Sequence, residues 1–194
     1  MMQEKKKAVF LDRDGTINVE KDYLYKIEDF EFLPGVLDGL RMLQSAGYLL
    51  IIITNQSGIA RGYYTEEDFN DLTAWMIDHL RQKGITIARV YYCPHHPEAA
   101  VEQYRQKCDC RKPRLALFQK AEKDFDLKLS KCYAIGDKLR DCTICMDSEC
   151  RGFLIGSSED VATIEHVKNG DFRNLHYADN LYECACRIVD DEER

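Results

Sequence analysis

The chain has 194 residues, 45% hydrophobic and 31% charged, enough to bury a core as a single domain without cross-links, and far from the composition of a disordered segment. Its net charge of −7 excludes the basic surface needed for sequence-independent nucleic-acid or acidic-membrane binding, so an anionic substrate must be met by local cations. No stretch reaches the roughly 20 apolar residues of a membrane span, and the start lacks a signal peptide's apolar core, which predicts a cytoplasmic protein.

Nine cysteines are an odd number in a chain with no export signal, so reduced thiols, some holding metal, are expected rather than a disulfide framework. Residues 1–6 read as a flexible end and 1–194 as one domain. The first element is a short buried strand, Val9 to Leu11, broken at once by Asp12-Arg13-Asp14-Gly15-Thr16. Two acids one residue apart repel unless a cation lies between them or one keeps its proton. Taken alone, the pattern also fits a turn or a calcium loop, although the calcium spacing fails after the second acid.

Asn18 to Phe32 has no period and reads as a loop or flap. Pro34-Gly35 opens a helix with Val36, Leu37, Leu40 and Leu43 on one face, closed by Gly47. Tyr48 to Ile53 is an unbroken apolar run, expected as a central parallel strand, and it ends in Thr54-Asn55-Gln56-Ser57-Gly58. Thr65 is placed to cap a helix that buries Phe69, Leu72, Met76 and Leu80 and stops at Gly84, with Trp75 as packing. A third strand ends at Tyr92 and leads into Cys93-Pro94-His95-His96; a loop then reaches Cys108-Asp109-Cys110-Arg111-Lys112-Pro113.

A helix through Leu117, Phe118, Ala121 and Phe125 precedes a strand at Cys132 to Ile135, which ends in Gly136-Asp137-Lys138. A short helix from about Leu139, a strand at Gly152 to Ile155 and a last helix bearing Leu181, Cys184 and Ile188 complete the chain. Alternating strands and helices imply an α/β fold, doubly wound around a mostly parallel, Rossmann-like sheet, with the polar motifs gathered at one edge.

At that edge Asp12, Asp14 and Asp137 supply oxygen ligands suited to magnesium, while Thr54 and Lys112 supply a hydroxyl and a compact positive charge for phosphate. Cys93-x-His95, twelve intervening residues and Cys108-x-Cys110 supply three thiolates and an imidazole, a closed zinc set of structural type, with His96 competing for the place of His95. Cys132, Cys142, Cys145, Cys150, Cys184 and Cys186 read as core thiols, and His79, His166 and His176 as surface residues.

These four motifs, Asp12-x-Asp14-Gly15-Thr16, Thr54, Lys112 and Gly136-Asp137 with Asp141, resemble those of haloacid dehalogenase-type phosphatases. Thr54 to Gly62, Cys93 to Pro97, Cys108 to Pro113 and Gly136 to Lys138 resemble its zinc-loop subfamily. The resemblance implies a magnesium-dependent phosphatase with no large cap domain and a zinc loop over residues 93–110. It implies Asp12 as nucleophile, Asp14 as acid and base, Thr54 and Lys112 on the transferring phosphoryl group, and magnesium on Asp12, the Asp14 backbone carbonyl and Asp137. Asp141 would support that shell, and His95 rather than His96 would hold zinc.

It further implies a sugar bisphosphate as substrate, a heptose 1,7-bisphosphate cut at its 7-phosphate, with histidinol phosphate as the alternative within the enzyme class and an inactive sugar-phosphate-binding module as the alternative outside it. Glu20, Lys21, Asp22, Tyr23, Thr54, Asn55, Gln56 and Ser57 would touch the substrate. Arg111, Lys112 and Lys138 would meet its phosphates, Arg111 at the remote end. A monomer without nucleic-acid or membrane partners is expected. Two departures bear on substrate identity, Arg114 to Phe118 where the subfamily carries a glycine and Cys142 to Cys150 where it carries small residues.

Overall fold

The computed structural model describes residues 5–156 and 158–192. Six strands, β1 (Ala8–Leu11), β2 (Leu49–Asn55), β3 (Ile87–Cys93), β4 (Tyr133–Gly136), β5 (Arg151–Ile155) and β6 (Leu175–Ala178), form one sheet in the order β3-β2-β1-β4-β5-β6. Every pairing is parallel, as the continuous apolar runs predict for strands covered on both faces.

Strand alternation assigns the two faces. Val9, Leu11, Leu50, Ile52 and Ile135 pack with Leu40 and Leu43 of α1 (Val36–Ser45), Met76 and Leu80 of α3 (Glu66–Gln82) and Cys184 and Ile188 of α7 (Leu181–Glu192). Phe10, Ile51, Ile53 and Ala134 pack with Leu117, Phe118 and Ala121 of α4 (Ala116–Phe125) and Ile164 and Val167 of α6 (Val161–Lys168). Thr65 caps α3 through a reciprocal box with Asp68, which satisfies amide donors that the first turn leaves free. Cys132, Cys142, Cys145, Cys150 and Cys184 are buried thiols.

Several elements differ from the sequence reading. β6 and α6 escape it because β6 is a four-residue edge strand with His176 exposed, and α6 buries only Ile164 and Val167. The polar run after β2 turns into a five-residue helix, α2 (Ser57–Arg61). His79 is not a surface residue: it is half-buried and stacks on Phe32 and Trp75. Of the expected flexible end, residues 1–4 lie outside the described residues, whereas Lys6 bridges Leu127.

The expected flap is stitched at its base, where Val19 N–H donates to Glu31 O at 2.9 Å and Leu33 N–H to Ile17 O at 3.0 Å. It carries one turn of 3-10 helix, Ile27–Asp29, and leaves the edge of the sheet open. The strand order reverses between β1 and β4, and the carboxyl ends of those strands diverge into a crevice. Asp12 and Asp137 follow those two strands.

Candidate active site

Asp12 is set by β1 and by β4 together, since its N–H donates to Ile135 O at 3.0 Å. Ligand oxygens of Asp12, Asp137 and Asp141 all lie within 4.8 Å of one another, and the three residues are 8%, 3% and 3% exposed. Gly15, at φ +78°, brings the first motif so close to Asp137 that a Cβ there would collide with its carboxylate.

One cation shares this cluster. Lys112 Nζ bonds Asp12 Oδ1 at 2.6 Å and the Ile53 carbonyl at 2.6 Å, and pairs with Asp141 Oδ1 at 2.7 Å. Two of its three donors are thereby in hydrogen bonds, and Asp141 is held by charge. Asn55 grips its backbone from both sides, accepting from Lys112 N–H at 3.0 Å and donating to Lys112 O at 3.1 Å.

Three buried acids around one ammonium leave negative charge in excess. Burial, with Asp141 next and Asp14 adding to it, pushes the Asp12 carboxyl up against the opposing pull of Lys112. Burial and the Asp141 charge push Asp137 up to about 6. Hard oxygen donors with uncompensated charge are what magnesium requires, so the residues fit that ion.

The Asp14 carboxylate is not in that cluster. Arg13 Nε and Nη2 clamp it at 2.9–3.1 Å, Asn18 Nδ2 donates to it at 3.0 Å and Gln56 Nε2 at 3.0 Å. It faces a cleft of about 450 Å³ instead, so only its backbone remains for the metal role. Asp141, expected as support, stands inside the carboxylate group.

The same cleft is lined by Glu20, Asp22, Tyr23, Asn55, Gln56, Ser57, Arg111 and Lys138 from the expected substrate set. Burial, with Asp14 and Asp137 beyond it, raises the Glu20 carboxyl. Lys21 does not line it: its ammonium turns back onto the flap, bonding Asp29 O at 2.8 Å and pairing with Glu31 at 3.3 Å. Thr54 and Lys112 are buried and do not line it.

Arg61, Tyr64, Arg140 and Ser158 also line the cleft and were not singled out from sequence. Arg61 belongs to the Thr54 to Gly62 stretch and Arg140 adjoins Asp141, with which it pairs at 3.9 Å; Ser158 carries no signal in the sequence. Burial lowers the Arg111 guanidinium, and Arg140 and Arg61 nearby lower it further. Among the described residues neither Arg61 nor Arg111 has a carboxylate partner. The cleft thus brings four cations, Arg61, Arg111, Lys138 and Arg140, together with the acids Asp14, Glu20, Asp22 and Asp137.

Behind Arg111 the thiol cluster closes. Cys93, Cys108 and Cys110 Sγ atoms are 3.0–3.5 Å apart, and His95 Nδ1 is 3.2 Å from Cys110 and 3.7 Å from Cys93. Ligands at roughly 2.3 Å from a shared tetrahedral centre would be about 3.7 Å apart, so this slightly contracted set fits zinc. His96 faces elsewhere, with Nε2 3.4 Å from Arg61 and Nδ1 accepting from Glu98 N–H at 3.2 Å. All nine cysteines are free thiols.

Residues 7–175 match the family described as Polynucleotide kinase 3 phosphatase. The D-glycero-beta-D-manno-heptose-1,7-bisphosphate 7-phosphatase of Haemophilus ducreyi is 46% identical over 167 residues, 86% of this chain and 91% of the relative. The enzyme of the same name from Escherichia coli K12 is 48% identical over 134 residues, 69% of this chain and 70% of the relative. The crystal structure of D,D-heptose 1,7-bisphosphate phosphatase from B. bronchiseptica, complexed with magnesium and phosphate, superposes with a TM-score of 0.79 at 26% identity, covering 96% of this chain and 99% of that one.

Proposed function

The chain belongs to this haloacid dehalogenase-type phosphatase family, a phosphoric monoester hydrolase by its relatives, and from that premise we propose how its site works and on what. The substrate is D-glycero-β-D-manno-heptose 1,7-bisphosphate, cut at the 7-phosphate. The observation that carries the reading is the meeting of Asp12, Lys112, Asp137 and Asp141 within one buried cluster, beside a cleft that four cations help to line.

Asp12 attacks phosphorus in line, the bond from phosphorus to the sugar oxygen breaks, and Asp14 gives that oxygen its proton. Asp14 then takes a proton from water as the water oxygen attacks the aspartyl-phosphate, which frees inorganic phosphate and restores Asp12. Thr54 donates to a phosphoryl oxygen. Lys112 holds Asp12 in its attacking position and lends positive charge to the floor of the site. Asp12, Asp137 and the Asp14 carbonyl would hold magnesium, which would supply positive charge against the repulsion between carboxylate and phosphate.

Cys93, His95, Cys108 and Cys110 would hold zinc in a structural role, and the closed loop would fix Arg111 beside the cleft. The set of four cations in the cleft, Arg61, Arg111, Lys138 and Arg140, suits a second phosphate, which histidinol phosphate lacks. It also separates the reading from the polynucleotide in the family's description, because the net charge of −7 offers no extended basic track. A passive binding module has no need of an acid pair as placed as Asp12 and Asp14. We place the protein in the cytoplasm as a monomer; among the described residues no helix is long and apolar enough to cross a membrane.

The deciding experiment compares phosphate release, with magnesium, from both heptose bisphosphate anomers, histidinol phosphate and fructose 1,6-bisphosphate. The β anomer should give the highest kcat/KM. A preference for histidinol phosphate, or binding of sugar phosphates without any release, overturns the assignment.

A further inference from the structure

Gln56, which lines the cleft with the expected substrate set, also turns its amide inward. It is only 2% exposed, and its amide is fully engaged. Nε2 donates one hydrogen to Asp14 Oδ2 at 3.0 Å and the other to Thr54 Oγ1 at 2.9 Å. Oε1 accepts from the Tyr64 hydroxyl at 2.5 Å, with Arg13 Nη2 at 3.4 Å.

Chemistry fixes which way this amide faces. The Tyr64 phenol donates to the carbonyl side, so the NH2 side faces Asp14 and Thr54. Tyr64 is held in the donor state because burial raises its phenol above the ordinary value. The ring cannot drift: it is buried, packs with Ile59 and Phe69 and stacks on Tyr25 at 5.4 Å. Gly58 makes room for it, since a Cβ there would overlap the ring.

The polarity of this chain has a result at Thr54. Because Oγ1 already accepts from Gln56, the hydroxyl hydrogen is left to donate elsewhere, and among the described residues no protein group takes it. At Asp14 the same amide pins Oδ2, while Arg13 and Asn18 hold the carboxylate from other sides.

We propose that Gln56, locked by Tyr64, is a positioning residue that sets the Asp14 carboxylate for proton transfer and turns the Thr54 hydroxyl hydrogen toward the phosphoryl group. The proposal rests on the phosphatase reading above and adds to it two residues that act through others.

The test uses the difference between leaving groups. A sugar alkoxide needs the proton that Asp14 supplies, whereas p-nitrophenolate leaves without one. For Gln56→Met, close in shape and without amide donors, kcat on the sugar bisphosphate should fall about 100-fold with KM little changed, and kcat on p-nitrophenyl phosphate should fall about tenfold or less. Tyr64→Phe, which removes a single hydroxyl, should show the same skew at a few-fold. Equal losses on the two substrates, or a loss confined to KM, overturn the positioning role. A wild type that turns over neither substrate sinks the phosphatase reading and this proposal with it; an active wild type with unskewed variants sinks the proposal alone.

Discussion

The carboxylate cluster between β1 and β4 and the thiol cluster after β3 are both built to gather a cation, yet they are held together in opposite ways. Asp12 and Asp137 sit at the ends of central strands and Asp141 on the 3-10 turn after β4, all buried, with Lys112 already pairing Asp12 and Asp141 at 2.6 and 2.7 Å. The fold itself brings them together. Three of the four residues of the second cluster, His95, Cys108 and Cys110, come from a loop and are partly exposed; only Cys93 belongs to the sheet. The first cluster should therefore keep its shape without a cation and lose its chemistry, whereas the second should lose its shape.

The largest effect tests the first half of that contrast. Asp12→Asn should cut turnover by at least about 10⁴-fold while the thermal midpoint stays or rises, because a buried acid is neutralised. Retained phosphate release would falsify the nucleophile role. Lys112→Met strips the counter-charge from two buried carboxylates and should cost roughly 3–5 kcal/mol in urea unfolding of chelated protein. A loss below 1 kcal/mol would mean that the acids are not held by the lysine.

Cys108→Ser probes the second cluster. Bound zinc should disappear, amide exchange over residues 93–112 should accelerate while β1 and β4 stay protected, and kcat/KM should drop about 10–100-fold. Unchanged protection in the loop would show that it folds without metal. Arg111→Ala then asks what the loop delivers: kcat/KM for a bisphosphate should fall about tenfold more than for a monophosphate, and equal losses would remove the remote-phosphate role.

The smallest effect is in pH. Asp137 binds its proton more tightly folded than unfolded, with its folded value near 6 above the ordinary carboxylate range. The unfolded chain loses that proton first, so stability of metal-free protein should fall as pH rises from about 4 through 6. Magnesium, which requires the ionised form, should flatten this slope. A slope of the opposite sign in thermal midpoints would show that Asp137 is not raised.

Much of the sheet and the reactive centre could be read from sequence, because long apolar runs such as Tyr48 to Ile53 and the acid pair after Val9 to Leu11 each obey a strong local rule. Leu175–Ala178 does not: a four-residue edge strand needs β5 beside it before it is a strand at all. Side-chain direction was also beyond reach. Lys21 and Glu20 are neighbours in one flap, yet one folds back on Asp29 O and the other lines the cleft, a choice made by tertiary contacts. Gln56 shows the same limit, since its motif marks a site without saying whether a side chain meets the ligand or the residues that do.

Cys93 is the last residue of β3, and its carbonyl accepts from Gln56 N–H at 2.8 Å. Cys110 lies directly before Arg111 and Lys112. Both ends of the thiol loop are thus stitched to the floor of the site, and the twelve residues between His95 and Cys108 form an excursion that starts and returns at one staple. Such a segment is a replaceable handle. Because His96 meets Arg61 and Val101 N–H donates to Ala60 O at 3.0 Å, a change within this handle reaches the cleft through α2, while the staple keeps the lysine beneath it in register.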